Sequence, residues 1–273
     1  MRKPTAMELR LQGKTALVTG GSAGIGLACA QLLVSEGVHV AIAARSPERL
    51  AAAGQALQAT AERRGSDVPR VLTIAGDMAQ AADVVRAARD AQDAFGQIDI
   101  LINCAGSAMG GPFLELPDSA FLDAWTLKLL GYIRMTRAVL PGMIARRDGR
   151  IVNIVGGAGR FPAATFLTGS TANAALINFT RGLSKDLAPH NVRINAISPG
   201  TTQTERGERL IAAEVSAGKT LEAAREERLS RIPLHRITQP DEIASMAALI
   251  VSDRLASMTG AEVIIDGGAM PAV

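Results

Sequence analysis

Aromatic residues are scarce in this chain, cysteines number two, and no apolar run is long enough to cross a bilayer. Each shortage excludes something. Aromatics make up 3% of 273 residues: six Phe, one Trp and one Tyr, Tyr132. The hydrophobic 48% is therefore mostly aliphatic, which suits alanine-rich helices on aliphatic strands. Cys29 and Cys104 share no CxxC spacing, so reduced thiols in a cytosol are expected. Residues 1–13 carry charge without an apolar core segment, which argues against a secretory leader. Without a spanning run, no membrane partner is expected. The net charge is +3, and the basic residues are dispersed, so no nucleic-acid surface is expected. His39, His190 and His235 are scattered and form no metal-ligand spacing, so no metal is expected.

What is present is a steady alternation. Short aliphatic runs at 15–18, 38–43, 71–74, 98–102, 151–155, 193–197 and 263–265 predict strands. Helical patterns at 25–36, 47–64, 80–95, 120–145, 171–187 and 241–251 lie between them. Strand–helix alternation predicts a single α/β domain over 1–273: a Rossmann-type, doubly wound parallel sheet with helices on both faces. The polar stretch 201–240 breaks the rhythm, with helical cores at 205–216 and 221–230. It reads as a substrate-loop insertion, or as a plain surface excursion.

After the first strand comes Thr19-Gly20-Gly21-Ser22-Ala23-Gly24-Ile25-Gly26, then a helix. In a strand–turn–helix context this pattern suits a dinucleotide pyrophosphate. Gly20 permits the tight turn, Gly24 the close backbone approach, and Gly26 the close packing of helix on sheet. Ser22 and Ile25 belong to the same cradle. The second strand ends Ala44-Arg45-Ser46-Pro47. A carboxylate that would bind ribose hydroxyls is missing there, and Arg45 suits a 2′-phosphate. Ser46 and Pro47 read as a helix cap and first helical position, leaving amides for the same phosphate. NADP(H) is therefore expected in preference to NAD(H). Ala23 counts against this preference, because many NADP-using proteins carry a basic residue at that place.

These motifs, followed by Asp77, Asn103-Cys104-Ala105-Gly106, Ser198-Pro199-Gly200 with Thr204, and Ile265-Asp266-Gly267-Gly268, resemble the short-chain dehydrogenase/reductase family in order and spacing over roughly residues 10–270. The resemblance implies that Asp77, with Met78 beside it, contacts the adenine. It implies that Asn103, Ala105 and Gly106 line the adenosine side, and that Pro199, Gly200 and Thr204 border the nicotinamide. It also implies a small-molecule substrate and a homotetramer, with helices 120–145 and 171–187 at an interface. The apolar Ala172, Ala175, Leu176 and Phe179 recur there at helical spacing.

The same resemblance exposes a gap. The family relies on Asn, Ser, Tyr and Lys, because hydride transfer develops charge on a substrate oxygen that an acid must meet. Aligned here, the Asn position holds Lys128, the Ser position Gly156, the Tyr position Gly169 and the Lys position Asn173. No tyrosine occurs nearby, and Phe166, one turn earlier, has no hydroxyl. Lys128 reads either as an ordinary surface lysine or as a cation replacing the lost one. Ser170 and Thr171 read as caps of the following helix or as groups orienting a carbonyl. Tyr132, four residues after Lys128, reads as core. Three functions stay open: an NADP(H)-dependent oxidoreductase with a non-standard proton path, a catalytically silent dinucleotide- or ligand-binding homologue, and a non-redox lyase or isomerase on the same scaffold.

Overall fold

The computed structural model describes residues 8–65, 67–216 and 218–270. Residues 1–7, on which part of the leader expectation rests, lie outside the described residues.

Among the described residues, seven strands form one parallel sheet: β1 (Thr15–Thr19), β2 (His39–Ala44), β3 (Val71–Ala75), β4 (Ile100–Asn103), β5 (Gly149–Ile154), β6 (Val192–Pro199) and β7 (Glu262–Ile265). Their order is β3-β2-β1-β4-β5-β6-β7. Successive side chains of β1 serve opposite layers. Ala16 and Val18 join one core cluster, with α1 (Gly24–Ser35), α2 (Pro47–Glu62) and α9 (Pro240–Val251). Leu17 joins the other, with α3 (Ala81–Phe95) and α5 (Gly131–Arg146). A strand buried on both faces must be apolar throughout, which explains why its run showed no alternation. The chain's winding reverses between β1 and β4, so a crevice opens at the carboxyl ends of these strands.

Three elements differ from expectation. The helix predicted over 120–145 is interrupted: α4 (Asp118–Ala124) passes through a π-helical turn at Trp125–Leu130 before α5. Such turns add a residue to the helical repeat and re-aim side chains. The helix predicted from 171 begins earlier, as α6 (Leu167–Leu187). Ser170 and Thr171 therefore lie inside the helix and cap nothing. Their hydroxyls donate back to the carbonyls of Phe166 (2.8 Å) and Leu167 (2.9 Å). Of the supposed interface residues, Ala172 and Leu176 are buried against the chain's own core. Leu122, Trp125 and Leu130 are the exposed apolar groups of this region.

The insertion carries α7 (Glu205–Ser216) and α8 (Leu221–Leu229). Thr202 and Thr238 pair as an isolated bridge, so both ends of the excursion are stitched at one point beside the crevice.

Candidate functional site

At the carboxyl ends of the strands lies one continuous cavity of about 870 Å³, running from Gly20 past Lys128 to Met270. Its first wall is the glycine turn. Gly20 (φ +69°) and Gly24 (φ +54°) adopt the left-handed region that suits glycine. A Cβ on Gly26 would stand 2.3 Å from the Gly20 carbonyl oxygen, so helix and turn meet only because that side chain is absent. Gly26 thus lies behind the turn, while Gly20, Ser22, Gly24 and Ile25 line the cavity. No side chain caps the start of α1, which leaves its first amides directed at the crevice.

The opposite end of this wall is basic. Arg45 and Ser46 line the rim, and the Ser46 hydroxyl accepts the Arg49 amide at 3.2 Å. Arg49 also lines the rim and forms an ion pair with Glu205, the first residue of α7. Sequence reading missed Arg49, although a second cation four residues after Arg45, in the first turn of α2, was a usable signal.

Met78, Ala105 and Gly106 also line the cavity; Asp77 and Asn103 do not. Asp77 Oδ1 accepts the Ala79 amide at 3.0 Å within its own turn. Asn103 is fully buried, and its Nδ2 donates to Asn153 Oδ1 at 3.0 Å and Thr136 Oγ1 at 3.3 Å. Asn153 in turn donates to Thr180 at 2.9 Å. The Asn103 side chain thus ties β4 to β5, α5 and α6, and only the chain after it reaches the cavity. There the Cys104 and Ala105 amides donate to Thr19 Oγ1 at 3.1 and 3.3 Å. Burial pushes the Cys104 thiol up to about 12, although the Lys128 charge acts the other way. The thiol is therefore protonated at neutral pH.

The four positions singled out by the resemblance meet on the far wall: Lys128, Gly156, Gly169 and Asn173 all line the cavity. Lys128 leaves the π-helical turn, runs over Gly106 and donates through Nζ to the carbonyl of Val155. It does not extend into solvent. Gly156 has φ +129°, a conformation that strains any other residue. A Cβ on Gly169 would stand 2.2 Å from Cζ of Phe166, so the Phe166 ring fills the space of that side chain. Ser170 and Thr171 are absent from the wall, and Thr171 Oγ1 accepts the Trp125 indole N–H at 2.8 Å. Tyr132 is buried and donates to the Ile154 carbonyl at 2.9 Å. Burial raises its pKa well above the usual phenol value.

The wall is completed by Pro199, Gly200 and Thr204, by Arg228 of α8, and by the C-terminal segment. Both Asp266 oxygens accept amides there, Gly268 at 2.9 Å and Met270 at 2.7 Å. This curl lays the Met270 thioether over Gly157. Across the turn that begins at Gly157, Arg160 holds the buried Glu262 of β7 at 2.8 Å, fixing the loop that carries Gly156. Sequence reading gave no role to Arg228 or Met270. Both reach the cavity through long-range folding that no local pattern encodes.

The model of the short chain dehydrogenase family matches residues 14–214, most of the chain. The chain belongs to this family. Among its relatives, the oxidoreductase UcpA of Escherichia coli (strain K12) is 33% identical over 260 residues, covering 95% of each chain. Among solved structures, this family member is similar to the L-sorbose reductase of Gluconobacter frateurii complexed with NADPH and L-sorbose, at TM-score 0.91 and 28% identity, covering 98% of this chain and 100% of that one. It is also similar to an NAD+-bound xylitol dehydrogenase, at TM-score 0.87 and 28% identity, covering 95% of this chain and 100% of that one. Among the described residues, no helix of this dehydrogenase-family chain is long and apolar enough to cross a membrane, and no cluster of His, Cys, Asp and Glu could hold a metal.

Proposed function

We propose that the protein is an NADP(H)-dependent oxidoreductase acting on a small carbonyl or alcohol, with Lys128 as the cation of its reaction site. The observation that carries this reading is the course of Lys128: a flexible charged side chain crosses Gly106 into the cavity and ends at the Val155 carbonyl. The cradle fits a dinucleotide, because a Cβ at Gly20 would stand 2.9 Å from the Ala105 backbone and one at Gly24 3.2 Å from Thr204. The turn is built to let another backbone or a phosphate approach. Gly20, Ser22, Gly24 and Ile25 would hold the pyrophosphate, Arg45 and the Ser46 amide the 2′-phosphate, and Pro199, Gly200 and Thr204 the nicotinamide end. Bound cofactor would supply the hydride. Lys128 would orient the ribose hydroxyls or stabilise charge on the substrate oxygen, and water would deliver the proton. Ketoses and polyols are the first substrates to test, given the sugar and polyol enzymes among its structural neighbours.

NADPH is expected to bind at least about tenfold more tightly than NADH, about 1.4 kcal/mol. The missing acid at Ala44 and the cation at Arg45 both favour the 2′-phosphate. Calorimetry of both cofactors checks this; equal affinities, or a preference that survives Arg45→Asp, would refute it.

A homotetramer is the expected assembly. Exposed Leu122, Trp125 and Leu130 around α4 and the π-helical turn give it an apolar surface to cover. Light scattering at micromolar concentration tests this, and a monomer would contradict it.

A catalytically silent binder is the second reading. It draws on one observation: the only phenol is locked on the Ile154 carbonyl. Tight NADPH binding without oxidation of NADPH by any ketose, ketone or aldehyde would establish it over the first. A lyase or isomerase would instead convert substrate with the cofactor's redox state unchanged.

A further inference from the structure

Asn173 is a buried polar side chain without a hydrogen-bond partner among the described residues. It is 3% exposed, on the cavity wall. Its Oδ1 has no hydrogen-bond donor, and among the described residues its Nδ2 finds no acceptor. Folding normally satisfies buried amides, so one unmet among the described residues, in a cavity wall, marks a place for a ligand; Oδ1 can only accept, so Nδ2 is the atom that can meet a ligand oxygen. Its surroundings narrow the choice. A Cβ on Gly156 would stand 2.9 Å from Asn173 Nδ2, so the amide takes up the space a side chain at 156 would use. Lys128 donates to the carbonyl of Val155, the residue just before Gly156. An ammonium and an amide, from different helices, thus converge on the same end of β5. Gly156, Gly157 and Gly169 line this place and offer no competing side-chain acceptor.

We infer that Asn173 Nδ2 and Lys128 Nζ form a two-donor site for the substrate oxygen, the atom on which negative charge grows during carbonyl reduction. Paired, preorganised N–H donors stabilise such charge better than water does. The inference rests on the proposed oxidoreductase reading and deepens it by assigning Asn173 to the substrate rather than to the ribose. An amide that serves the fold would hold a partner within the fold; this one holds none among the described residues.

The test is Asn173→Leu, of similar shape and without donors. The NADPH Kd should stay within about twofold, the KM for a ketone substrate should rise at least about tenfold, and the melting temperature should hold or rise, since an unpaired buried amide is removed. A tenfold weaker NADPH affinity at unchanged ketone KM would overturn the inference by assigning the amide to the ribose. A fall in melting temperature would overturn it by showing a structural bond. If the unmodified protein reduces no ketone, the oxidoreductase reading falls separately. The amide is then decided by crystals grown with NADPH. An ordered oxygen shared by Asn173 Nδ2 and Lys128 Nζ, each within about 3.2 Å, supports the two-donor site; an Asn173 amide bonded to the cofactor ribose or to the protein overturns it.

Discussion

Lys128→Met is expected to lower kcat/KM for NADPH-dependent ketone reduction by at least about 100-fold, the scale on which removal of an electrostatic group acts. Methionine keeps the unbranched chain that crosses Gly106 and removes only the ammonium, so packing is preserved and charge is not. The melting temperature should change little. Lys128→Arg keeps the charge but with a planar fork that reaches differently, and should recover part of the loss. Steady-state kinetics for the three proteins checks this. Unchanged turnover in Lys128→Met would reduce the lysine to a strut between the π-helical turn and β5.

Phe166→Tyr is expected to raise turnover by about 100-fold or more, the usual worth of a positioned general acid. Cζ of Phe166 stands 2.2 Å from the place of a Gly169 Cβ, and both residues line the cavity, so a hydroxyl on that carbon would stand beside the vacant tyrosine position. The literal restoration, Gly169→Tyr, should fail. Its side chain meets the Phe166 ring, and overpacking of this kind destabilises by about 1–3 kcal/mol. The double change Phe166→Ala with Gly169→Tyr should relieve that clash. Rates and melting curves of the three variants test the point. Equal, wild-type behaviour of Phe166→Tyr would show that the ring does not face reacting atoms.

The sheet and the glycine turn were legible because they depend on local rules. Continuous aliphatic runs mark strands covered on both faces, and the spacing of Gly20, Gly24 and Gly26 follows from one turn's backbone. Ends of elements were less legible: α6 starts at Leu167, where no residue announces a cap, and the π-helical turn leaves no mark in apolar periodicity. The direction of a side chain was not legible at all. Asn103 sits at the expected point of the chain, yet it turns into the core because Asn153 and Thr136 offer partners there. Ser170 and Thr171 turn back to their own helix for the same reason. Substitution at Gly169 read as an emptied position from sequence; in three dimensions Phe166 occupies it. Arg49 was readable by its spacing to Arg45, whereas its pairing with Glu205, 156 residues away, was not.

The most direct test of the account is a crystal structure with NADPH bound, read at Lys128 Nζ. The account predicts NADPH along the cavity from Gly20 to Thr204, with Nζ within about 3.5 Å of a nicotinamide-ribose hydroxyl or of an oxygen facing the nicotinamide ring. A cofactor bound there with Lys128 swung out to solvent, or a cavity that takes up no NADPH, would contradict it.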